Sequence, residues 1–131
     1  MQDTRHPSPE EMTAHLAKAS EEGYWNHWEH DFEKHRFDWV KSRDVKNPLS
    51  PEQFSQIPRA LARHQHVELC TYTYKRRMVW AYHRKHLFLD RIRLTEICVV
   101  YDPVEREIIH CMRVGRSYCE RHADFMKIRW K

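Results

Sequence analysis

The chain has four cysteines, residues that can bind metal, form disulfides or pack as small apolar side chains: Cys70, Cys98, Cys111 and Cys119. They are separated by 27, 12 and 7 residues, and none of these gaps is the two-residue gap of a zinc ribbon. An even number permits two disulfides in three connectivities. Buried cysteines also serve as small apolar residues. The spacing leaves both interpretations open, so all four cysteines are disulfide candidates.

The chain contains 11 histidines, which raises the question of a metal site. Three of them, His27, His30 and His35, fall in one predicted helical region, but no two are four residues apart. His110 adjoins Cys111, and the other histidines are scattered. Because no ligand-pair spacing supports a metal ion, a dispersed, exposed set is the favoured interpretation. We predict no metal and no cofactor.

The carboxylates do not form an obvious acid–base pair. Asp31, Asp38 and Asp44 are spaced along a charged stretch, where they are expected to form a solvated face. The chain has no phosphate-cradling glycine loop, nucleophile elbow or His-Glu-x-x-His motif. Nothing in these motifs argues for catalysis, and the sequence therefore predicts a protein that is not an enzyme.

Glycine is very scarce, with only Gly23 and Gly115 in 131 residues. Glycine supplies the positive φ angles of tight hairpins. A chain that nearly lacks it is expected to be built from long helices joined by proline-marked bends. The predicted fold class is accordingly mostly α, with a helical hairpin and little or no sheet.

Three segments have the same helix-start pattern of a capping residue, a proline and an acid. They are Ser8-Pro9-Glu10-Glu11, Ser50-Pro51-Glu52-Gln53 and Asp102-Pro103-Val104-Glu105. The first helix is expected to bend or end at Gly23, and the second to end or kink before Pro58. The third is expected to open a long C-terminal helix with a kink at Gly115.

The segment between these starts is ambiguous. Residues 67–74 and 78–82 are rich in β-branched and aromatic residues, which suits a hairpin. The segment between them, Lys75-Arg76-Arg77, contains no Gly, Asn or Asp and therefore lacks the residues that tight hairpin turns favour. A helix places Val67, Cys70 and Tyr74 on one stripe. The helix is favoured, and the hairpin is kept as the alternative.

Charge divides the chain. Residues 1–58 hold 7 Lys/Arg against 11 Asp/Glu, and residues 59–131 hold 16 against 8. We predict an acidic helical arm and linker over residues 1–49 and a basic helical hairpin region over residues 50–131. The basic residues 59–131 predict contact with an acidic protein or anionic lipid, or with the acidic half of the chain folded back on them. Nucleic acid is disfavoured because acids accompany the basic residues throughout. No secretory signal is expected at the N-terminus.

Large aromatic residues are the expected anchors of a core or of an interface with other subunits. Aromatic residues make up 12% of the chain. The predicted anchors are Trp25, Trp28, Phe32, Trp39, Tyr72, Trp80 and Trp130.

A sheet over residues 67–114 would change the functional interpretation. It would be basic and antiparallel, with Val99–Asp102 and Glu107–His110 as two strands around a turn. Small ribonuclease toxins look like this, with His and Arg on the sheet for acid–base work. The candidates would be His83, Arg84, His86 and His110. Lys75-Arg76-Arg77 with its neighbouring aromatics Tyr72, Tyr74, Trp80 and Tyr82 could then stack bases. The alternative function is therefore a small basic ribonuclease or RNA-binding domain.

Residues 118–127, Tyr-Cys-Glu-Arg-His-Ala-Asp-Phe-Met-Lys, resemble the last cysteine segment of a known family. The family is the twin-cysteine (coiled-coil-helix) accessory subunits of mitochondrial respiratory complex I, the B18-type subunit in particular. The resemblance implies an outer disulfide between Cys70 and Cys119. The inner positions of the family's pattern hold Trp80 and Ile109, so that second disulfide is absent.

The same resemblance implies a non-catalytic accessory subunit of a respiratory-chain assembly. Such subunits are helical and bind other subunits of their complex. The implied location is mitochondrial, peripheral to the inner membrane. This is the function that the sequence predicts first.

Overall fold

Four helices precede five strands in the computed structural model, which describes residues 8–35, 49–63, 67–89, 92–115 and 127–129. The helices are α1 (Pro9–Glu22), α2 (Trp28–His35), α3 (Pro51–Ser55) and α4 (Ile57–Ala62). The strands are β1 (Glu68–Tyr74), β2 (Arg77–Leu89), β3 (Ile92–Asp102), β4 (Glu107–Arg113) and β5 (Lys127–Arg129). None of the described helices has the length and apolar character needed to cross a membrane.

Two of the three predicted helix starts are confirmed. The Ser8 hydroxyl accepts a hydrogen bond from the Glu11 N–H at 3.1 Å and caps α1. Ser50 and Gln53 form a reciprocal capping box at α3. Gly23 ends α1 with φ +73°, the left-handed conformation that glycine adopts without a Cβ penalty.

The mostly α fold class is wrong. The five strands form one antiparallel sheet in the order β4-β3-β2-β1-β5. Residues 67–82, which we expected as a helix, are strands β1 and β2 and their turn. The expected C-terminal helix is replaced by β4 up to Arg113, and residues 116–126 lie outside the described part.

Non-glycine residues with positive φ explain this error. Lys75 (φ 47°) and Arg76 (φ 68°) form the two-residue turn between β1 and β2. Both central positions of such a turn need positive φ, which is why Asn-Gly is the usual choice. The argument from missing glycine therefore fails, because the strand pairing holds ordinary residues in the left-handed region.

The third helix start is a hairpin turn instead. The buried Asp102 carboxylate accepts hydrogen bonds from the N–H groups of Val104 and Glu105 at 2.8 and 3.1 Å, as a helix cap would. Arg106, with φ 58°, then reverses the chain into β4. Arg77 reaches Asp102 at 2.8 Å and ties this turn to β2. The local capping chemistry was identified correctly, but the helix does not follow.

The main core lies between the helices and one face of the sheet. Met12 and Leu16 of α1, Phe54 of α3 and Leu61 of α4 are fully buried there with the inward residues of the strands. The opposite sheet face has a second, smaller cluster: Cys70, Val79, Ala81, Cys98, Val100 and Ile109. We call it the outer face.

Strand β4 is covered along its outer edge by the segment that joins α1 to α2. The Ile108 N–H donates to the Tyr24 carbonyl at 2.7 Å, and the Asn26 N–H donates to the Ile108 carbonyl at 2.8 Å. This short parallel bridge satisfies backbone groups that an edge strand would otherwise expose. It also fixes the start of α2 beside β4.

Candidate functional site

A buried carboxylate at the β4 edge connects the helical and sheet parts of the chain. Asp31 of α2 is 1% exposed. Its Oδ2 accepts hydrogen bonds from the Trp25 indole N–H at 3.0 Å and from the Cys111 backbone N–H at 3.1 Å. Its Oδ1 lies 3.0 Å from Nδ1 of His110. The expectation that Asp31 belongs to a solvated face is therefore wrong, because α2 turns it onto the strand edge.

The hydrogen bonds keep Asp31 ionised. Burial by itself would raise the pKa of its carboxyl group. Hydrogen bonds from His110, Trp25 and the Cys111 N–H outweigh burial, and the net shift of the Asp31 pKa is downward. A buried carboxylate is stable only when its oxygens are satisfied in this way.

Asp31 also fixes the tautomer of His110. An ionised carboxylate only accepts hydrogen bonds, so the proton of the neutral imidazole is assigned to Nδ1. The lone pair of Nε2 is then available to accept a proton. The His110 side chain is 24% exposed, so part of the ring is open to solvent. An oriented histidine backed by a buried carboxylate is the arrangement of a general base.

A β-bulge determines the direction of His110. Val100 pairs with His110 and Tyr101 with Ile108, which leaves Ile109 as an extra residue. Strict alternation would turn residue 110 towards the helices with Ile108. The bulge instead puts it on the outer face, beside the edge where Asp31 lies.

Other aromatic and basic groups surround His110. The His27 ring stacks on it with centroids 5.3 Å apart and an interplanar angle of 18°. Tyr74 meets it edge-on at 6.2 Å. The Lys75 ammonium lies 5.3 Å from the centre of the Tyr74 ring. Two histidines, a phenol and an ammonium therefore meet at one corner of the sheet, and we call this group the His110 corner.

The turn beside this corner is positively charged. Arg77 is neutralised by Asp102 at 2.8 Å and also lies 3.8 Å from Glu107. Lys75 and Arg76 are exposed and form no ion pair with any residue in the described ranges. Within the described part of the chain, the turn thus keeps two charges without an acidic partner, and one of them, Lys75, lies against Tyr74.

A second His–carboxylate pair lies deeper on the outer face. Nε2 of His83 is 2.7 Å from Oε2 of Glu96, and the His83 side chain is only 8% exposed. Glu96 has φ 54° at a break in the β2–β3 pairing, an unusual conformation for a buried non-glycine residue. Because His83 is less accessible than His110, its pair is better suited to holding the sheet than to contacting a substrate.

The other predicted site residues are placed as follows. Arg84 and His86 are half-buried, and Nδ1 of His86 has no partner among the described residues. Three cysteines, Cys70, Cys98 and Cys111, are buried, and no disulfide joins any two of them. Burial, with Asp31 and Cys98, raises the pKa of the Cys111 thiol well above its usual range. Cys119 lies outside the described residues, so the Cys70–Cys119 disulfide stays a prediction.

The predicted aromatic anchors that can be described lie in or against the main core. Trp25 stacks on Phe54 at 5.2 Å, and Trp28 stacks on Phe32 at 5.0 Å. Trp80 is 7% exposed and meets the His15 ring. Trp39, Trp130 and the Tyr72 side chain lie outside the described residues.

The sequence identified His110 as a candidate but did not predict its contacts with Asp31 and His27. His27 and Asp31 stand at i and i+4, separated from residue 110 by about 80 positions, and nothing local connects them to it. The only signal was Trp25 and Trp28 beside them, which marked this segment as one that packs against the core. Among the described residues, no group of three or more His, Cys, Asp or Glu could hold a metal ion.

Comparison with models of known protein families, with curated proteins and with solved structures gives no match to this chain. The resemblance of residues 118–127 to the complex I accessory subunits therefore stays a prediction. The same holds for the mitochondrial location and for the non-catalytic role.

Proposed function

We propose that this protein binds single-stranded RNA at the His110 corner and cleaves it by acid–base chemistry. The observation that carries the proposal is the hydrogen bond between the buried, ionised Asp31 and Nδ1 of His110. That bond leaves Nε2 of a partly exposed histidine free to accept a proton, which is the first requirement of transesterification.

The proposed reaction uses the two stacked histidines. Nε2 of His110 takes the proton of a ribose 2′-hydroxyl, and the 2′-oxygen attacks the adjacent phosphorus. The bond from phosphorus to the 5′-oxygen breaks, and protonated His27 gives its proton to that leaving oxygen. The products are a 2′,3′-cyclic phosphate and a free 5′-hydroxyl. The two rings lie 5.3 Å apart, which is close enough for both to contact groups of one phosphodiester.

The surroundings suit the same substrate. Lys75 and Arg76 supply charge for the phosphates. Tyr74 and His27 offer ring faces on which bases can stack, a contact that tolerates any sequence. Aromatic rings interleaved with basic residues are typical of surfaces that bind single strands.

This proposal replaces the accessory subunit as the preferred function because the observed fold differs from the predicted helical one. The subunit hypothesis depended on a helical hairpin over residues 50–131, and β1 to β4 occupy most of that region instead. The ribonuclease alternative depended on an antiparallel sheet over residues 67–114. The presence of that sheet supports the alternative.

The test is cleavage of a single-stranded RNA that carries a fluorophore and a quencher at its ends. His110→Ala should lower the rate about 10²–10⁴-fold, the usual contribution of one acid–base group. His27→Ala and Asp31→Asn should also lower it. Mass spectrometry of the product should show the cyclic phosphate.

Two controls separate catalysis from binding and from contamination. Glu33→Gln changes an exposed residue of the same helix and should keep the rate within about twofold of wild type. An all-deoxy strand should bind without being cleaved, because it lacks the attacking hydroxyl. RNA that is bound but not cut would reduce the proposal to a binding protein. Unchanged cleavage by His110→Ala would refute it.

The accessory subunit is kept as a second proposal. It is supported by the resemblance of residues 118–127, and it predicts stable capture of other subunits from mitochondria. Native purification followed by mass spectrometry tests it, and a monomer recovered without partners would contradict it.

A further inference from the structure

A cavity of about 290 Å³ lies between α1 and the turn that joins β3 to β4. It is distinct from the His110 corner. One face of α1 contributes Ala14, His15, Lys18 and Glu22, while Tyr101 and Arg106 contribute from the sheet side. This volume is at the small end of the range for ligand pockets. The cavity therefore suits a small molecule rather than a polymer.

The base of the cavity is aromatic and polar. Nδ1 of His15 lies 3.3 Å from the Tyr101 hydroxyl. The two rings are edge-on with centroids 6.0 Å apart, and Trp80 supports the His15 ring from behind at 5.1 Å. These contacts hold both rings in place. Tyr101 is only 2% exposed, so the half-buried His15 ring presents the larger face to a planar ligand.

The rim of the cavity is cationic. Burial raises the pKa of Tyr101, Arg106 lowers it, and Asp102 and Glu22 raise it again, so the phenol stays neutral. Arg106 lines the same cavity as Tyr101, so its charge is available at the rim. Lys18 lies 4.0 Å from Glu22 in an exposed ion pair, a kind of pair that is worth little and yields to a ligand. Lys18 and Arg106 face Glu22 across the rim, while Asp102 is already paired with Arg77, so the balance favours an anion.

We propose that this cavity binds a nucleoside monophosphate. The phosphate would contact Arg106 and Lys18 at the rim, and the base would lie against His15 and Tyr101. Phosphate is favoured over a carboxylate because both cations can contact its several oxygens. This site does not depend on the ribonuclease proposal, since it shares no residue with the His110 corner.

The experiment is titration calorimetry with 5′-AMP, adenosine and inorganic phosphate as separate probes. We expect 5′-AMP to bind more tightly than either part. Arg106→Gln should weaken 5′-AMP binding about tenfold, the loss expected for one charge-assisted contact. Ala14→Leu fills an exposed helix position with a good helix former and should block the cavity without unfolding the chain. Lys18→Gln should weaken binding as well.

His110→Ala separates the two proposals, because it should bind 5′-AMP as wild type does while losing RNA cleavage. Arg106→Gln should do the reverse. Wild-type affinity in both Arg106→Gln and Ala14→Leu would overturn the nucleotide site, as would the absence of any heat with 5′-AMP at millimolar concentration. Equal affinity for 5′-AMP and inorganic phosphate would also overturn it, since the base would then contribute nothing. Thermal unfolding of each variant shows that it is folded.

Discussion

The basic turn between β1 and β2 is expected to be less stable than the same turn with residues that favour positive φ. Lys75 and Arg76 both have positive φ, at 47° and 68°. The double variant Lys75→Asn/Arg76→Gly supplies the residues that such a turn favours. We expect it to unfold at a higher temperature and to bind RNA more weakly than wild type.

The magnitude follows from the backbone. The left-handed region costs an ordinary residue roughly 1–2 kcal/mol. Asparagine removes part of that cost, and glycine removes it at an entropic cost of about 0.4–1 kcal/mol. The net gain is about 1 kcal/mol in the free energy of unfolding, which raises Tm by about 4 °C for a domain of this length.

Urea unfolding followed by tryptophan fluorescence measures the gain. Val104→Gly is the matched control, because this 80% exposed turn residue has no positive φ to relieve. It should lose about 0.5–1 kcal/mol. If the double variant is destabilised to the same extent as Val104→Gly, the strain argument is wrong.

A second control separates charge from conformation. Lys75→Gln/Arg76→Gln removes both charges but keeps ordinary residues at positive φ. It should leave stability unchanged and lower RNA affinity, with the slope of log affinity against log salt reduced by about 1.4 for two lost phosphate contacts. An unchanged slope would remove the basic turn from the proposed RNA site.

Four further outcomes are expected. The pKa of Asp31 is lowered in the folded protein. Its contribution to stability is therefore present above its unfolded pKa of about 3.9 and is lost as the pH falls through the folded-state pKa. Urea unfolding between pH 2 and 6 should show that Asp31→Asn lacks this pH-dependent loss of stability. Phe54→Ala should cost about 3–5 kcal/mol in the same assay, since Phe54 is fully buried between two tryptophans and Phe32. Cys111 should react with iodoacetamide only after unfolding, as peptide mass spectrometry would show, because its thiol is buried and its pKa is raised. Glu96→Gln should cost about 1–3 kcal/mol through its weakened bond to His83, and a stability equal to wild type would remove that pair from the account of the fold.

Elements whose hydrogen bonds are local were predicted well. The caps at Ser8 and Ser50 depend on residues three positions away, and both predicted helices begin there. Asp102 makes the same local bonds, but its segment continues into β4, because pairing with β3 outweighs the local preference. The hairpin at Lys75 was only the alternative prediction, because its turn residues are locally unfavourable. Long paired strands hold Lys75 and Arg76 at positive φ, a conformation that such residues avoid on their own.

The candidate site could be predicted only in part. His110 and His83 became candidates once a sheet was considered, because both lie in segments that such a sheet would include. The direction of His110 depends on the bulge at Ile109, and its partner Asp31 comes from the other end of the chain. Neither the bulge nor a contact across 79 positions leaves a periodic signal in the sequence.

The bridge between residues 24–26 and β4 links the aggregation of this protein to the loss of its candidate site. The same short segment shields the β4 edge and leads directly into the helix that holds Asp31. If it detaches, the chain exposes a strand edge that can recruit another molecule and at the same moment loses the carboxylate that orients His110. Loss of the proposed RNA cleavage should therefore precede self-association on mild heating, and the cleavage rate would then be an early indicator of aggregation.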